Sequence, residues 1–140
     1  MTRAADSERN KAVIIQLPEL LDSPNVAIIR TLFTEDFRLH DLKFPDWPSG
    51  HAGALRMFTQ MKAALPDIRA TIEDMFGEGD KICVRWRFKG TVTGALGDRK
   101  GGGARFEAIV VSIYRFENGR IAEDWGADIP LPEGHPWRTG

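Results

Sequence analysis

The chain has 140 residues, a formal net charge of −1, and a composition of 42% hydrophobic and 28% charged residues. This length fits one domain, and a near-zero charge with scattered basic residues argues against a nucleic-acid or anionic-membrane partner. No apolar run approaches the roughly 20 residues needed to span a bilayer, and residues 1–16 lack the residue order of a secretory signal. Cys83 is the only cysteine, which excludes an internal disulfide and a cysteine-based metal cluster. We therefore predict a single soluble domain over residues 1–140, in the reducing cytoplasm.

The first half of the chain carries apolar residues at helical spacing. Residues 6–21 predict a first helix, which Pro18 should kink or break near Leu17. Ser23-Pro24 is typical of a helix start, with a hydroxyl cap and a proline at the first helical position, and the second helix should run through Phe33. A third helix is predicted from Ser49-Gly50 to about Leu65, before a proline stops it.

A short strand at residues 37–39 is predicted between the second and third helices. It leads through His40 and Asp41 to a loop rich in proline and tryptophan, residues 42–50.

The second half changes to period-two alternation, which predicts strands. Four are expected: from residue 68 to a turn at 77–80, at 82–88, at 106–116 and at 121–129. Asn118-Gly119 is a strong hairpin signal, because both residues tolerate positive φ. Residues 97–103 read as a glycine-rich connector, and residues 129–140 as an extended, proline-rich tail.

Helices followed by strands indicate an α+β fold rather than alternating β-α-β units. Long antiparallel strands twist and curl, so we predict a cone-shaped curved sheet covered by the N-terminal helices, with an apolar pocket for a small-molecule substrate. The opposite sheet face carries Ile109, Val111 and Ile113. An apolar outer face of this kind predicts a homodimer.

Several motifs occur together in one known family. They are Phe33-x-x-Asp36-Phe37-x-x-His40, Leu65-Pro66-Asp67, Gly90-Thr91-x-Thr93-Gly94 and the run from Tyr114 to Trp125. The chain resembles the SnoaL-like polyketide cyclases, or ester cyclases, of the nuclear transport factor 2-like superfamily, over about residues 11–128. The resemblance implies a reaction without cofactor or metal, an intramolecular aldol ring closure in which a carboxylate acts as general acid and base. A carboxyl group in an apolar pocket suits this role because desolvation raises its pKa.

The chain departs from the family pattern at the acid. The resemblance places that aspartate directly after the Trp of the Glu-x-Trp motif, with a histidine on the adjoining strand, whereas this chain has Gly126 and Ser112 there. Asp124 and Asp128 each lie two residues from Gly126 and therefore on the same strand face. We predict Asp128 as the acid/base and His40 as a positioning group, with Asp124 as the other candidate; a solvated Asp124 paired with Arg120 is the alternative.

The remaining candidates are predicted to bind substrate, and each also has a structural interpretation. His40 and His51 suit a pocket mouth or a loop hydrogen bond, Arg85 a substrate acid or a surface ion pair, and Trp47 a lid or a hydrophobic plug. The three histidines show no metal-ligand spacing, so no metal is predicted. The substrate-binding candidates are Trp86, Trp125, Ser112, Tyr114, Arg85, His51 and Trp47.

Three functions are compatible with this pattern. The first is a cofactor-independent cyclase or isomerase acting on a polyketide-type or other biosynthetic intermediate. The second is epoxide opening or hydration, which needs two carboxylates in the pocket from among Glu107, Asp124 and Asp128. The third is a non-catalytic binding or dimerisation module, which the glycine at position 126 would explain.

Overall fold

The computed structural model describes residues 3–93 and 102–139, so most of the predicted glycine-rich connector lies outside the described residues. The described chain contains four helices and five strands. The helices are α1 (Arg3–Ile15), α2 (Leu17–Asp22), α3 (Val26–Leu32) and α4 (Gly50–Ala64). The strands are β1 (Phe33–His40), β2 (Arg69–Glu78), β3 (Lys81–Val92), β4 (Ala104–Glu117) and β5 (Arg120–Pro130).

The helix boundaries follow from local chemistry. The break predicted at Pro18 is confirmed, because α1 ends at Ile15 and the proline lies in the first turn of α2. The cap predicted at Ser23 is wrong. Asn25 is the N-cap of α3: its backbone is extended, and its side chain accepts a hydrogen bond from the Ile28 amide at 3.2 Å. An asparagine oxygen three residues before a free amide satisfies that donor, which leaves the proline outside the helix.

The five strands form one sheet in the order β1-β5-β4-β3-β2. The three neighbouring pairs from β5 to β2 are antiparallel, as predicted, and the predicted α+β class is confirmed. The first strand differs from the prediction: it spans eight residues and pairs with β5 in parallel. The parallel pairing is possible because α4 and three strands lie between β1 and β5 in the sequence, which gives the crossover its length.

The helices cover one face of the sheet, called here the inner face. Inward residues of β3 such as Ile82 and Val84 are fully buried, and Leu20 and Ile29 of the helices pack into the same core. None of the helices described is both long enough and apolar enough to cross a membrane.

The other side of the sheet, the outer face, is partly covered by the C-terminal tail. The Arg87 guanidinium donates to the carbonyl of Trp137 at 2.8 Å, and the Thr139 amide donates to the Glu107 carboxylate at 3.0 Å. Glu107 and Ile109 are buried there. The tail is non-helical, as its prolines predict, and lies against the sheet.

Candidate active site

A cavity of about 490 Å³ opens between the inner face, helices α2 and α4, and the loop of residues 41–49. The loop side chains that reach it are Asp41, Lys43, Phe44 and Trp47. Most of its wall is apolar, including Leu17, Leu21, Phe58, Met61, Phe88 and Val110. A concave, mostly apolar cavity with few polar groups is the usual form of a small-molecule site.

Three polar side chains meet at the inner end of this cavity. Tyr114 pairs with Asp124 across β4 and β5, and Ser112 pairs with Gly126 in the next inward-facing position. Trp86 on β3 donates its indole N–H to the Tyr114 hydroxyl at 3.0 Å. Ser112, Tyr114 and Asp124 are all buried. The strand register therefore gathers a hydroxyl, a phenol and a carboxyl group on one patch of apolar wall.

Asp124 has the electrostatics of a proton-transfer group. Burial raises its pKa to about 7, the Ser112 hydroxyl offsets part of this shift, and the nearby Asp41 carboxylate adds to it. Its Oδ1 atom is buried without a protein hydrogen-bond partner. Burial, and then the charge of Asp124, also raises the pKa of Tyr114, so that phenol stays protonated. A carboxyl group with a pKa near neutrality can both take up and release a proton.

Asp128 lies in a different environment, although it also lines the cavity. Its carboxylate forms an ion pair with the Lys43 ammonium from the loop, and its side chain is 23% exposed. It is four positions beyond Asp124 on β5, a distance of about 13 Å at the usual rise per residue. The two acids therefore face one cavity from its two ends.

The loop of residues 41–49 is fastened around Trp47. The indole N–H donates to the carbonyl of Gly53 at 2.9 Å, the ring packs edge-on against Phe44 at 5.1 Å, and the Arg56 guanidinium lies 5.1 Å above it. Trp47 is thus a wall residue held by α4, and it holds the other loop residues against the cavity.

Two predicted site residues lie on the outer face. His40 contacts the Glu123 carboxylate at 2.7 Å, and its ring stacks on Trp125 with centroids 5.0 Å apart. The cause is strand alternation: Leu39 lines the cavity, so His40 points away from it. Trp125, which we expected in the pocket wall, is 37% exposed, because it is one residue out of phase with Asp124.

The other two candidates lie apart from the cavity. Arg85 is an exposed residue on the outward-facing positions of β3. His51 at the start of α4 forms a hydrogen bond with the carbonyl of Phe33 at 2.9 Å, which ties that helix to β1. Of the predicted set, the cavity brings together Asp124, Asp128, Ser112, Tyr114, Trp86 and Trp47.

Two charged residues of the cavity were missed from the sequence, Asp41 and Lys43. Both follow the end of β1, and Asp41 accepts a hydrogen bond from the Lys43 amide at 2.9 Å. The signal was the presence of charged residues among the apolar and aromatic residues of this loop. Their direction depends on the turn that this hydrogen bond closes.

These features define a small-molecule site in a curved α+β fold. The family model of SnoaL-like polyketide cyclases matches residues 11–128, and the chain belongs to this family. No protein in a search of curated sequences matches the chain.

Solved structures of similar proteins share the fold. TsrD from Streptomyces laurentii is 20% identical with a TM-score of 0.78, over 91% of this chain and 90% of that one. A SnoaL-like polyketide cyclase from Agrobacterium tumefaciens is 18% identical with a TM-score of 0.73, over 86% and 91% of the two chains. IdmH from Streptomyces antibioticus is 26% identical with a TM-score of 0.69, over 85% and 91%.

Proposed function

We propose that the protein is a cofactor-independent cyclase or isomerase that acts on a polyketide-type or other biosynthetic intermediate, with Asp124 as general acid and base. Family membership supports a role of the cyclase or isomerase type. The observation that carries the proposal is a buried carboxyl group, with a pKa raised to about 7, on the wall of an apolar cavity. We also infer a cytoplasmic location from the single, free thiol of Cys83.

An aldol ring closure needs one proton moved twice. The Asp124 carboxylate takes a proton from the carbon next to a substrate carbonyl, and the resulting enolate carbon attacks a second carbonyl of the same molecule. The new C–C bond leaves an alkoxide, which takes the proton back from Asp124. Substrate and product are isomers, so no oxidant, reductant or co-reactant is required. A pKa near the working pH suits both steps.

Asp124 is a better candidate than Asp128 because of their surroundings. The Asp128 carboxylate is held in an ion pair by the Lys43 ammonium at the exposed end of the cavity, so a cation already occupies it. Asp124 has no cationic partner among the described residues and is only 7% exposed. Desolvation is what gives it a useful pKa.

The two alternatives have less support. Epoxide opening needs a second carboxylate beside the first. Of the predicted acids, Glu107 is on the outer face and Asp128 is at the far end of the cavity. The carboxylate near Asp124 is that of Asp41, which already accepts a hydrogen bond from the Lys43 amide. A non-catalytic module needs no titratable group in its cavity, whereas this cavity contains Asp124, whose pKa suits proton transfer. Proton transfer by Asp124 alone therefore explains the buried acid without a second catalytic residue.

Proton exchange tests this function without knowledge of the natural substrate. We expect the protein to accelerate α-proton exchange of α-tetralone in deuterated buffer near neutrality, followed by NMR, with EDTA present throughout. The acceleration should fall in the range of about 10²–10⁴-fold that general acid/base catalysis provides. A ketone that binds the cavity and still exchanges no faster than in buffer would contradict the proposal.

We also propose that the protein is a homodimer joined through its outer face. Ile113 is 41% exposed and Ile129 is 48% exposed on that face, beside Trp125, and clustered apolar residues of this kind mark interfaces. Sedimentation at micromolar concentration should give twice the 15.7 kDa chain mass. Ile113→Lys should give monomers, whereas Val26→Lys, at a similarly exposed apolar position on α3, should not. A monomeric unmodified protein would refute the dimer.

A further inference from the structure

We propose that the space above Gly126 is the binding site for the reacting oxygen of the substrate, a ketone carbonyl or the enol formed from it. This inference rests on the proposed function and names the part of the substrate that the inner end of the cavity recognises. The space is called here the Gly126 niche; it is bounded by Gly126, Ser112 and Asp124.

The niche exists because glycine has no side chain. A Cβ atom at position 126 would lie 3.4 Å from Ser112 Oγ and 3.7 Å from Asp124 Oδ1. An atom placed at this position on the cavity wall would therefore contact two polar oxygens, one from β4 and one from β5. A ligand oxygen a few tenths of an ångström closer to these two atoms than that Cβ position would lie at hydrogen-bond distance from them.

One of these two atoms lacks a partner. Asp124 Oδ1 is buried with no protein hydrogen bond. Water cannot easily replace that hydrogen bond, because the residue is only 7% exposed. A buried polar atom left unpaired costs stability, so it calls for a partner. Asn10 Oδ1 and Thr34 Oγ1 are also buried and unpaired, but of these three residues Asp124 is the one that lines the cavity, where a ligand can reach it. A ligand oxygen in the niche would supply the missing hydrogen bond.

The chemistry of the two groups suits a carbonyl oxygen. The Ser112 hydroxyl can donate in either protonation state of Asp124, and protonated Asp124 donates as well, so an oxygen between them receives two hydrogen bonds when Asp124 holds a proton. Negative charge develops on that oxygen while the Asp124 carboxylate takes the α-proton. The Ser112 hydroxyl is then the donor already in place that stabilises the transition state, and Asp124 becomes a second donor once it carries the proton. Because position 126 is glycine and the acid is two residues away, the space is left for the ligand.

A matched pair of ligands tests the niche directly. α-Tetralone and tetralin have the same ring system and differ by one carbonyl oxygen. Binding is measured at pH 6, where Asp124 is mostly protonated, through the fluorescence of the cavity tryptophans. The unmodified protein should bind the ketone about tenfold more tightly than the hydrocarbon, as one good hydrogen bond allows.

Gly126→Ala should remove this preference while tetralin affinity stays within about threefold, since a methyl group fills the niche and leaves the apolar wall in place. Gly126 is not among the glycines with positive φ, so alanine can adopt its backbone conformation. Ser112→Ala, which removes a donor without filling the niche, should lose part of the preference. The carbonyl ¹³C resonance of bound α-tetralone should move downfield in the unmodified protein and remain near its free value in Gly126→Ala.

Two results would overturn the proposal: a Gly126→Ala variant that keeps the full preference for the ketone, or one that loses both ligands equally. These outcomes are separate from the failure of the proposed function. Absence of proton exchange with the ketone preference intact would refute the catalytic role of Asp124 and retain the niche.

Discussion

Replacing Asp124 with asparagine should lower turnover by about 10²–10⁴-fold, the range expected when a general acid/base is removed. The same substitution should stabilise the folded protein above neutral pH. Asparagine has nearly the shape of the protonated aspartic acid but cannot ionise, so the cavity keeps its form and loses its proton donor. Catalysis and stability are thus expected to change in opposite directions.

The stability effect follows from proton linkage. Burial raises the pKa of Asp124 from its ordinary 3.8 to about 7. Between these two values the folded protein binds more protons than the unfolded chain, so the free energy of unfolding decreases as the pH rises and the loss is complete above pH 7. At pH 8 the asparagine variant should be more stable by an amount on the order of 4 kcal/mol, because each pKa unit corresponds to about 1.4 kcal/mol. Urea unfolding at several pH values should show the difference shrinking toward zero near pH 4.

Asp128→Asn is the matched control for this experiment. It removes an acid from the same strand and the same cavity, but from a position where Lys43 already neutralises the charge. We expect its turnover to stay within about tenfold of the unmodified protein. An Asp124→Asn variant with full activity, or one whose stability still declines from pH 4 to pH 7, would eliminate Asp124 as the acid/base.

Strands β2 to β5 and their hairpins could be predicted from the sequence because their signals are local. Asn118 and Gly119 both adopt positive φ, 51° and 80°, as the hairpin motif requires. Alternation also requires Trp86 and Arg85 to lie on opposite faces of β3, and in the structure Trp86 is on the inner face and Arg85 on the outer face. These features depend on neighbouring residues alone, and the structure agrees with them.

The same alternation also predicts that the side chains of His40 and Trp125 point to the outer face of the sheet. Leu39 points into the cavity, so its neighbour must point outward, and Trp125 is one position out of phase with Gly126. We predicted both as site residues because histidine and tryptophan often bind ligands, and we gave that chemistry more weight than their position in the strand alternation. For side chains on a regular strand, phase is the stronger evidence.

The difference between Asp124 and Asp128 could not be predicted from the sequence. Both share the phase of Gly126, and their environments are set by a loop more than 80 residues away along the chain. Only the path of that loop brings Lys43 to Asp128 and leaves Asp124 buried, with no cationic partner among the described residues. The parallel pairing of β1 with β5 is similarly non-local, because strand direction depends on how the helices return the chain to the sheet.

Gly53→Ala should open the cavity by displacing this loop. A Cβ atom at position 53 would lie 1.8 Å from the Pro48 carbonyl oxygen and 2.8 Å from its carbon. Both are backbone atoms, so no side-chain rotation relieves the clash and the loop must move. Trp47, which donates to the Gly53 carbonyl, would move with it.

We expect this substitution to lower α-tetralone affinity at least tenfold and to cost about 1–3 kcal/mol of stability, as forced overpacking does. Ala52→Gly is the control, since it changes the neighbouring exposed residue of α4 without a clash. Its stability should fall by about 1 kcal/mol through helix propensity alone, with ligand affinity unchanged. Fluorescence titration and urea unfolding separate the two effects. Unaltered ligand affinity in Gly53→Ala would mean that the loop adapts to the added methyl group. It would contradict the prediction that ligand binding depends on the position of the loop of residues 41–49.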